Sequence, residues 1–217
     1  MNNEPNENLS AEEIAPQAEK EDLTKEPKKK NILSEVIENF EVIVFSVIAV
    51  ILIFSLGFRI CFVSGDSMNQ TLHDRDWVIV SGLGYEPERG DIIVFHQTSE
   101  TNDKFNEPIV KRVIATGGEF VKIDYLQDKV YVSADSNFTE DEVLSEDYII
   151  PGKPSYLPNA TNTYVYEVPK GHLFVMGDNR PVSADSRYPV VDFVDERRVL
   201  GKVLFRVTPF NKFGKVG

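Results

Sequence analysis

One cysteine, Cys61, stands in 217 residues. A disulfide framework is therefore excluded, and so is any zinc site built on paired Cys/His spacing. Basic residues are also scarce: 23 Lys and Arg face 35 Asp and Glu, for a formal net charge of −12 and a pI near 4.8. A nucleic-acid partner needs a basic stripe to neutralise phosphates, and none is present. The three histidines, His73, His96 and His172, fall in no metal-ligand or catalytic spacing. No metal and no cofactor is expected. Positive charge is concentrated only at Lys28, Lys29 and Lys30, with Lys25 just before them.

Large apolar residues are nearly missing from the first 26 positions, which are rich in Asn, Glu, Pro and Ala. Such a composition buries too little surface to offset its ordering entropy, so residues 1–30 read as a disordered tail. From Ile32 to Phe40 apolar residues recur at helical spacing and lead into an uncharged run, Val42 to Phe58. Roughly 17 residues at 1.5 Å each reach about 25 Å, a little short of a hydrocarbon core of about 30 Å. Arg59 can snorkel, and Ile60 to Val63 are expected to lengthen the stretch. Residues 31–62 are thus expected to form one membrane anchor in a lipid bilayer. A cleaved signal peptide fits poorly with a long polar segment in front and no small-x-small site behind, and a core helix fits poorly with the length and flanking charge. The lysine cluster before the span places the tail in the cytoplasm and the remainder outside.

Beyond residue 63 the pattern changes to short β-rich runs: Trp77 to Val80, Asp91 to Phe95, Ile109 to Thr116, Phe120 to Ile123, Lys129 to Ser133, Thr163 to Val168, His172 to Met176 and Gly201 to Val207. Turn residues separate them, among them Glu88-Arg89-Gly90-Asp91 and Gly177-Asp178-Asn179. The fold class is mostly β, an antiparallel domain over 63–217, long enough to carry its own core. Residues 133–162, dense in Asp, Ser, Asn and Pro, read as a long excursion. Its triplets Asn137-Phe138-Thr139 and Asn159-Ala160-Thr161 match the glycosylation acceptor pattern, which is common by chance.

Three segments carry the candidate chemistry. Directly after the apolar run comes Ser64-Gly65-Asp66-Ser67-Met68. A serine nucleophile needs a neighbouring base and unobstructed amide donors, which a small residue such as Gly65 favours, although such a triplet is by itself usually just a turn. In the run Ile109-Val110-Lys111-Arg112-Val113-Ile114-Ala115 both faces are apolar, so the strand and Lys111 with it are expected to be buried. Burial lowers a lysine from about 10.4 toward the range of a general base. The strand alone favours instead a lysine whose head reaches water or pairs with a carboxylate. Gly177-Asp178-Asn179-Arg180, followed by Ser183, Asp185, Ser186 and Arg187, is dense in hydrogen-bonding groups, and taken alone is a turn stapled by ion pairs. A hydroxyl such as Ser183 can instead orient a neutral lysine amine.

In order, in spacing and in position after a single anchor, these segments resemble the bacterial type I signal peptidases, in the Gram-positive form. The resemblance runs from the apolar span nearly to the C-terminus. It implies a serine endopeptidase that removes signal peptides from secretory preproteins with a Ser–Lys dyad and no cofactor. By that resemblance Ser67 attacks the scissile carbonyl, Lys111 is the base, and Ser183 positions the amine. Asp178, Asp185, Arg187 and Arg112 brace the floor. The Ser67 N–H meets the oxyanion, with Gly65 where Gram-negative members carry an assisting serine. Met68 and its apolar neighbours are expected to line substrate pockets or touch lipid, and small pockets imply small residues, typically Ala, one and three positions before the cut. Two positions depart from the family pattern: Gln70 stands where proline is usual, and Pro181-Val182 where a polar pair is usual. A dedicated pilin or surface-protein peptidase of the same fold, and an inactive membrane-anchored binding homologue, are the rival readings.

Overall fold

The computed structural model describes residues 32–97, 107–149 and 162–216. The expected tail, the lysine cluster, the distal part of the excursion at 150–161 and its second acceptor triplet lie outside the described residues. The chain divides into two units, Met1–Phe45 and Ser46–Gly217. In the first, the described part is the beginning of helix α1 (Ile32–Gly57). The second holds the end of that helix and all of the strands.

Among its described residues the second unit holds eleven strands: β1 (Phe58–Phe62), β2 (Trp77–Ser81), β3 (Ile92–His96), β4 (Pro108–Ala115), β5 (Phe120–Asp124), β6 (Lys129–Ser133), β7 (Thr163–Glu167), β8 (His172–Met176), β9 (Val194–Asp195), β10 (Val199–Thr208) and β11 (Gly214–Lys215). The larger sheet runs β1-β2-β10-β3-β4-β8-β9, with β11 on β10, and the smaller runs β6-β5-β7. All the pairings are antiparallel. The mostly β, antiparallel expectation therefore holds. Over Ile60 to Val63 the expectation fails: these residues do not extend the helix. The helix stops at Gly57, and Phe58–Phe62 pair with Trp77–Ser81 as an edge strand. Phe, Ile and Cys suit a pleated surface as well as a helix, so apolarity alone could not separate the two.

Alternation sorts the side chains of the larger sheet. One face carries Val78, Val80, Ile92, Val94 and Val203, and packs on Met68 and Leu72 from the loop after β1. The other carries Ile93, Phe95, Val113, Leu173 and Val175. A third cluster joins the two sheets, with Ile114, Phe174 and Met176 packed against Val121, Ile123, Val130 and Val132. β4 contributes to both of its faces and is buried from Lys111 to Ala115, as a central strand must be.

Along α1, Val42, Ile43, Phe45, Val47, Ile48, Val50, Ile51, Leu52 and Phe54 are all exposed. Taken over the described residues, no helix is long and apolar enough to cross a membrane.

Because Ile114 is fully buried where the two sheets meet, Ile114→Ala is expected to cost about 3 kcal/mol through lost transfer energy and an incompletely collapsed cavity. Urea denaturation of the full-length protein, by the shift in midpoint at unchanged slope, measures it.

Candidate active site

Ser67 lies in the loop between β1 and β2, half-buried, and its neighbours fix it. Met68 and Leu72 are one helical turn apart and both buried, joined by the Leu72 N–H donating to Met68 O at 2.9 Å. This turn plugs the core from above and leaves Ser67 at its rim. The opposing loop after β8 completes the hold. The Asn179 N–H donates to Ser67 O (3.0 Å), and Asn179 Nδ2 donates to Asp66 O (2.9 Å). Gly177 backs directly onto the Ser67 carbonyl and the Ser183 side chain, where a β-carbon would collide with both.

Lys111 reaches the same point from the middle of β4. It is 4% exposed, and its Nζ lies 2.8 Å from Ser67 Oγ and donates to Val110 O at 2.9 Å. Burial is the main cause that lowers its pKa, from 10.5 to about 8; Asp185 and then Asp178 oppose the fall, and Arg187 assists it. An amine of that pKa is substantially neutral at mildly alkaline pH. Its lone pair can then accept a proton, so the arrangement sets a hydroxyl in hydrogen-bonding contact with an amine able to serve as its base.

Two buried ion pairs form the floor. Arg112 donates to Asp178 through Nε (2.9 Å) and Nη2 (2.8 Å), and to Gly90 O through Nη1 (2.8 Å). Asp178 also accepts from the Thr71 hydroxyl, which ties the floor to the nucleophile loop. Arg187 donates to Asp185 through Nε (2.8 Å) and Nη2 (2.9 Å), and the Gly177 N–H donates to Asp185 Oδ2 (3.0 Å). Burial works against the Asp185 carboxylate, but the Arg187 charge and these hydrogen bonds hold its carboxyl below the ordinary range.

The remaining expectations divide. Gly65 is exposed with a φ of 89°, and its N–H donates to Asp74 Oδ1 (2.9 Å), so its backbone is engaged away from the dyad. Among the described residues nothing accepts from the Ser67 N–H, which leaves it open to a developing oxyanion. Ser183 is buried beside Gly177 and close to the Asp185 carboxylate, yet its hydroxyl makes no hydrogen bond of ordinary geometry, to Lys111 or to any other described residue. Val110 O is the second partner of the amine instead, a main-chain acceptor that no motif could reveal. Gln70 has a φ of 98°, a conformation closed to proline, so the loop takes a shape that the usual family residue could not. Val182 points into solvent, 61% exposed.

An open groove of about 490 Å³ runs past the dyad, lined by Phe62, Ser64, Met68, Ile109 and Val110. β4 pairs with β3 from Pro108 to Arg112 but meets β8 only from Arg112 onward. The edge of Pro108–Val110 is therefore open to the groove, available to an extended peptide.

Residues 36–208 match the family model described as signal peptidase, peptidase S26. The chain is 35% identical to signal peptidase IB of Staphylococcus aureus, over 81% of this chain and 93% of that one. It is 33% identical to the probable signal peptidase I-1 of a Synechocystis strain, over 72% of this chain and 74% of that one. A crystal structure of a signal peptidase I from Enterococcus faecalis aligns with a TM-score of 0.40 at 32% identity, covering 54% of this chain and 97% of that one.

If Lys111 is the base, hydrolysis should rise about tenfold per pH unit below about 8 and level off above it, since only the neutral amine is competent. Lys111→Met should be inactive across that range yet more stable. The depression from 10.5 to about 8 corresponds to about 3 kcal/mol of folding cost. That cost is fully present below pH 8 and vanishes as pH approaches the unfolded value. Stability of the two proteins at pH 7 and pH 10 tests the sign: the advantage of the methionine variant should shrink at the higher pH. Gly177→Ala should lose at least about 100-fold in kcat, because its β-carbon must push the Ser67 carbonyl or Ser183 aside; a variant with near-wild-type turnover would show that the contact is not needed.

Proposed function

Because this chain belongs to the signal peptidase family, peptidase S26, we propose that it removes signal peptides with Ser67 as nucleophile and Lys111 as general base, from an N-terminal anchor in the membrane. The activity is that of a serine endopeptidase of the signal peptidase I type. The observation that carries the residue assignment is the 2.8 Å contact between Lys111 Nζ and Ser67 Oγ at a buried site.

The steps follow from that contact. A preprotein lies extended in the groove, with its scissile carbonyl over Ser67. Lys111 takes the hydroxyl proton as Oγ attacks, and the Ser67 N–H stabilises the oxyanion. The protonated amine then gives its proton to the leaving nitrogen, which becomes the amino terminus of the mature protein. Water, deprotonated by the same lysine, releases the signal peptide from the acyl-enzyme. Arg112 and Asp178 act by holding the loop after β8 against β4, and Asp185 and Arg187 by bracing that loop on itself. Met68 shapes the pocket, and its apolar walls favour small, uncharged side chains before the cut.

The bilayer is the second partner. The run Val42 to Phe58 has no charge, and the described apolar side chains of α1 stay uncovered over most of its length. A helix apolar on all sides is a membrane or core element, and no described core covers this one. Ile60, Phe62 and Trp77, exposed on β1 and β2 at 66%, 52% and 47%, add an apolar and aromatic surface suited to the interface. With Lys28 to Lys30 ahead of the span, the proposed topology is single-pass, tail in the cytoplasm and β domain outside the bacterial cytoplasmic membrane.

Full-length protein in detergent should cut several unrelated preproteins after small-x-small sites, and Ser67→Ala should cut none while keeping the wild-type circular dichroism spectrum. Cleavage of one surface protein only would point to a dedicated processing enzyme, and no cleavage by the wild type would leave a binding homologue.

A further inference from the structure

The excursion after β6 returns to the dyad. Its 3₁₀ turn Glu140–Glu142 is pinned to the small sheet, where the Ser133 hydroxyl donates to Glu142 Oε1 (2.6 Å) and Lys129 Nζ to Glu140 Oε2 (3.0 Å). From there the chain runs on to Glu146 and Tyr148. Glu146 forms an ion pair with Arg180, whose side chain is fully buried while that of Glu146 is 6% exposed. Tyr148 lays its ring on the Arg112 guanidinium, 3.9 Å from its carbon to the ring centroid, and its hydroxyl donates to Glu146 Oε1 (3.2 Å).

Each contact ends on an arginine that leads toward one member of the dyad. Arg180 donates through Nε to Gly177 O (3.1 Å), and Gly177 is the residue that backs onto the Ser67 carbonyl. Arg112 follows Lys111 in β4 and holds Asp178, which in turn holds Thr71 of the nucleophile loop. A buried guanidinium is costly unless it is paired, and the excursion supplies Glu146 as a carboxylate partner for Arg180 behind Gly177. A cation over an aromatic face likewise gains most where water is excluded.

Resting on the peptidase reading above, we propose that Glu146 and Tyr148 are positioning residues of the reaction. They strap the loop after β8 and the Arg112 side chain, and so hold Ser67 and Lys111 in register. Neither lines the groove, so they act on turnover rather than on substrate binding.

Full-length wild type, Glu146→Gln, Tyr148→Leu and Tyr148→Phe should be compared on one preprotein, with kcat and KM determined separately. Glu146→Gln and Tyr148→Leu are expected to lower kcat at least about tenfold with KM within about twofold, the mark of misplaced reacting groups. Tyr148→Phe keeps the stacked ring and should stay within about threefold of wild type. Wild-type kcat in both Glu146→Gln and Tyr148→Leu overturns the proposal, as does a phenylalanine variant as slow as the leucine one. Should Glu146→Gln fail to fold, the two Tyr148 variants decide alone. A wild type that cuts no preprotein overturns the peptidase reading and this inference with it, an outcome distinct from normal wild-type cleavage with unaffected variants.

Discussion

A lysine amine held in the middle of an antiparallel sheet is the constraint around which this domain is organised. Lys111 is surrounded by charges of both signs: Asp185 and Asp178 favour its protonated form, and Arg187 opposes it. The two carboxylates would by themselves keep the amine charged. Each, however, is engaged by its own arginine, Asp178 by Arg112 and Asp185 by Arg187, through two hydrogen bonds apiece. Charge is compensated pair by pair, and desolvation is left as the larger effect on the lysine. The ion pairs are therefore better understood as conditions for a lowered lysine pKa than as a source of stability, since buried pairs contribute little net folding energy.

The cost of that arrangement falls on the fold, and the apolar clusters on either side of β4 offset it. A central strand with apolar residues on both faces can carry two buried charged side chains, Lys111 and Arg112, because Val113, Ile114 and Ala115 anchor it beyond the dyad. At its other end the same strand loses its β8 neighbour, and that open edge provides the groove. Burial of the Lys111 amine and an open edge beside it thus come from a single strand, paired on both sides at one end and on one side at the other.

How much of this was legible in the amino-acid sequence depended on whether the signal was local. The eight strands with alternating or continuous apolar residues stand within two residues of their expected bounds, because Val, Ile and Phe between Gly and Asp turns leave few alternatives. β9 and β11 are two residues each and carry no period, and β1 was concealed by the apolar run before it. In the site, the contact of Ser67 with Lys111 could be expected from the motifs, as could the Asp and Arg pairs. The Val110 carbonyl, the close approach of Gly177 and the straps from Glu146 and Tyr148 could not, since each depends on a long-range juxtaposition of main chain or of residues in a segment without periodicity.

The short connection between helix and nucleophile bears on where the reaction occurs. α1 ends at Gly57, β1 follows without a linker, and Ser67 comes five residues after the strand. At no more than 3.6 Å per residue, Ser67 lies within roughly 36 Å of the helix end. Were α1 the anchor proposed above, the dyad would stay close to the bilayer surface. A signal peptide whose apolar segment occupied the same bilayer would leave its cleavage site at that height, so the brevity of this connection would restrict cutting to peptide bonds near the membrane and protect extended segments of folded proteins farther away. Under that proposal specificity would have two sources of different kind: a groove that selects small side chains, and a tether that selects position.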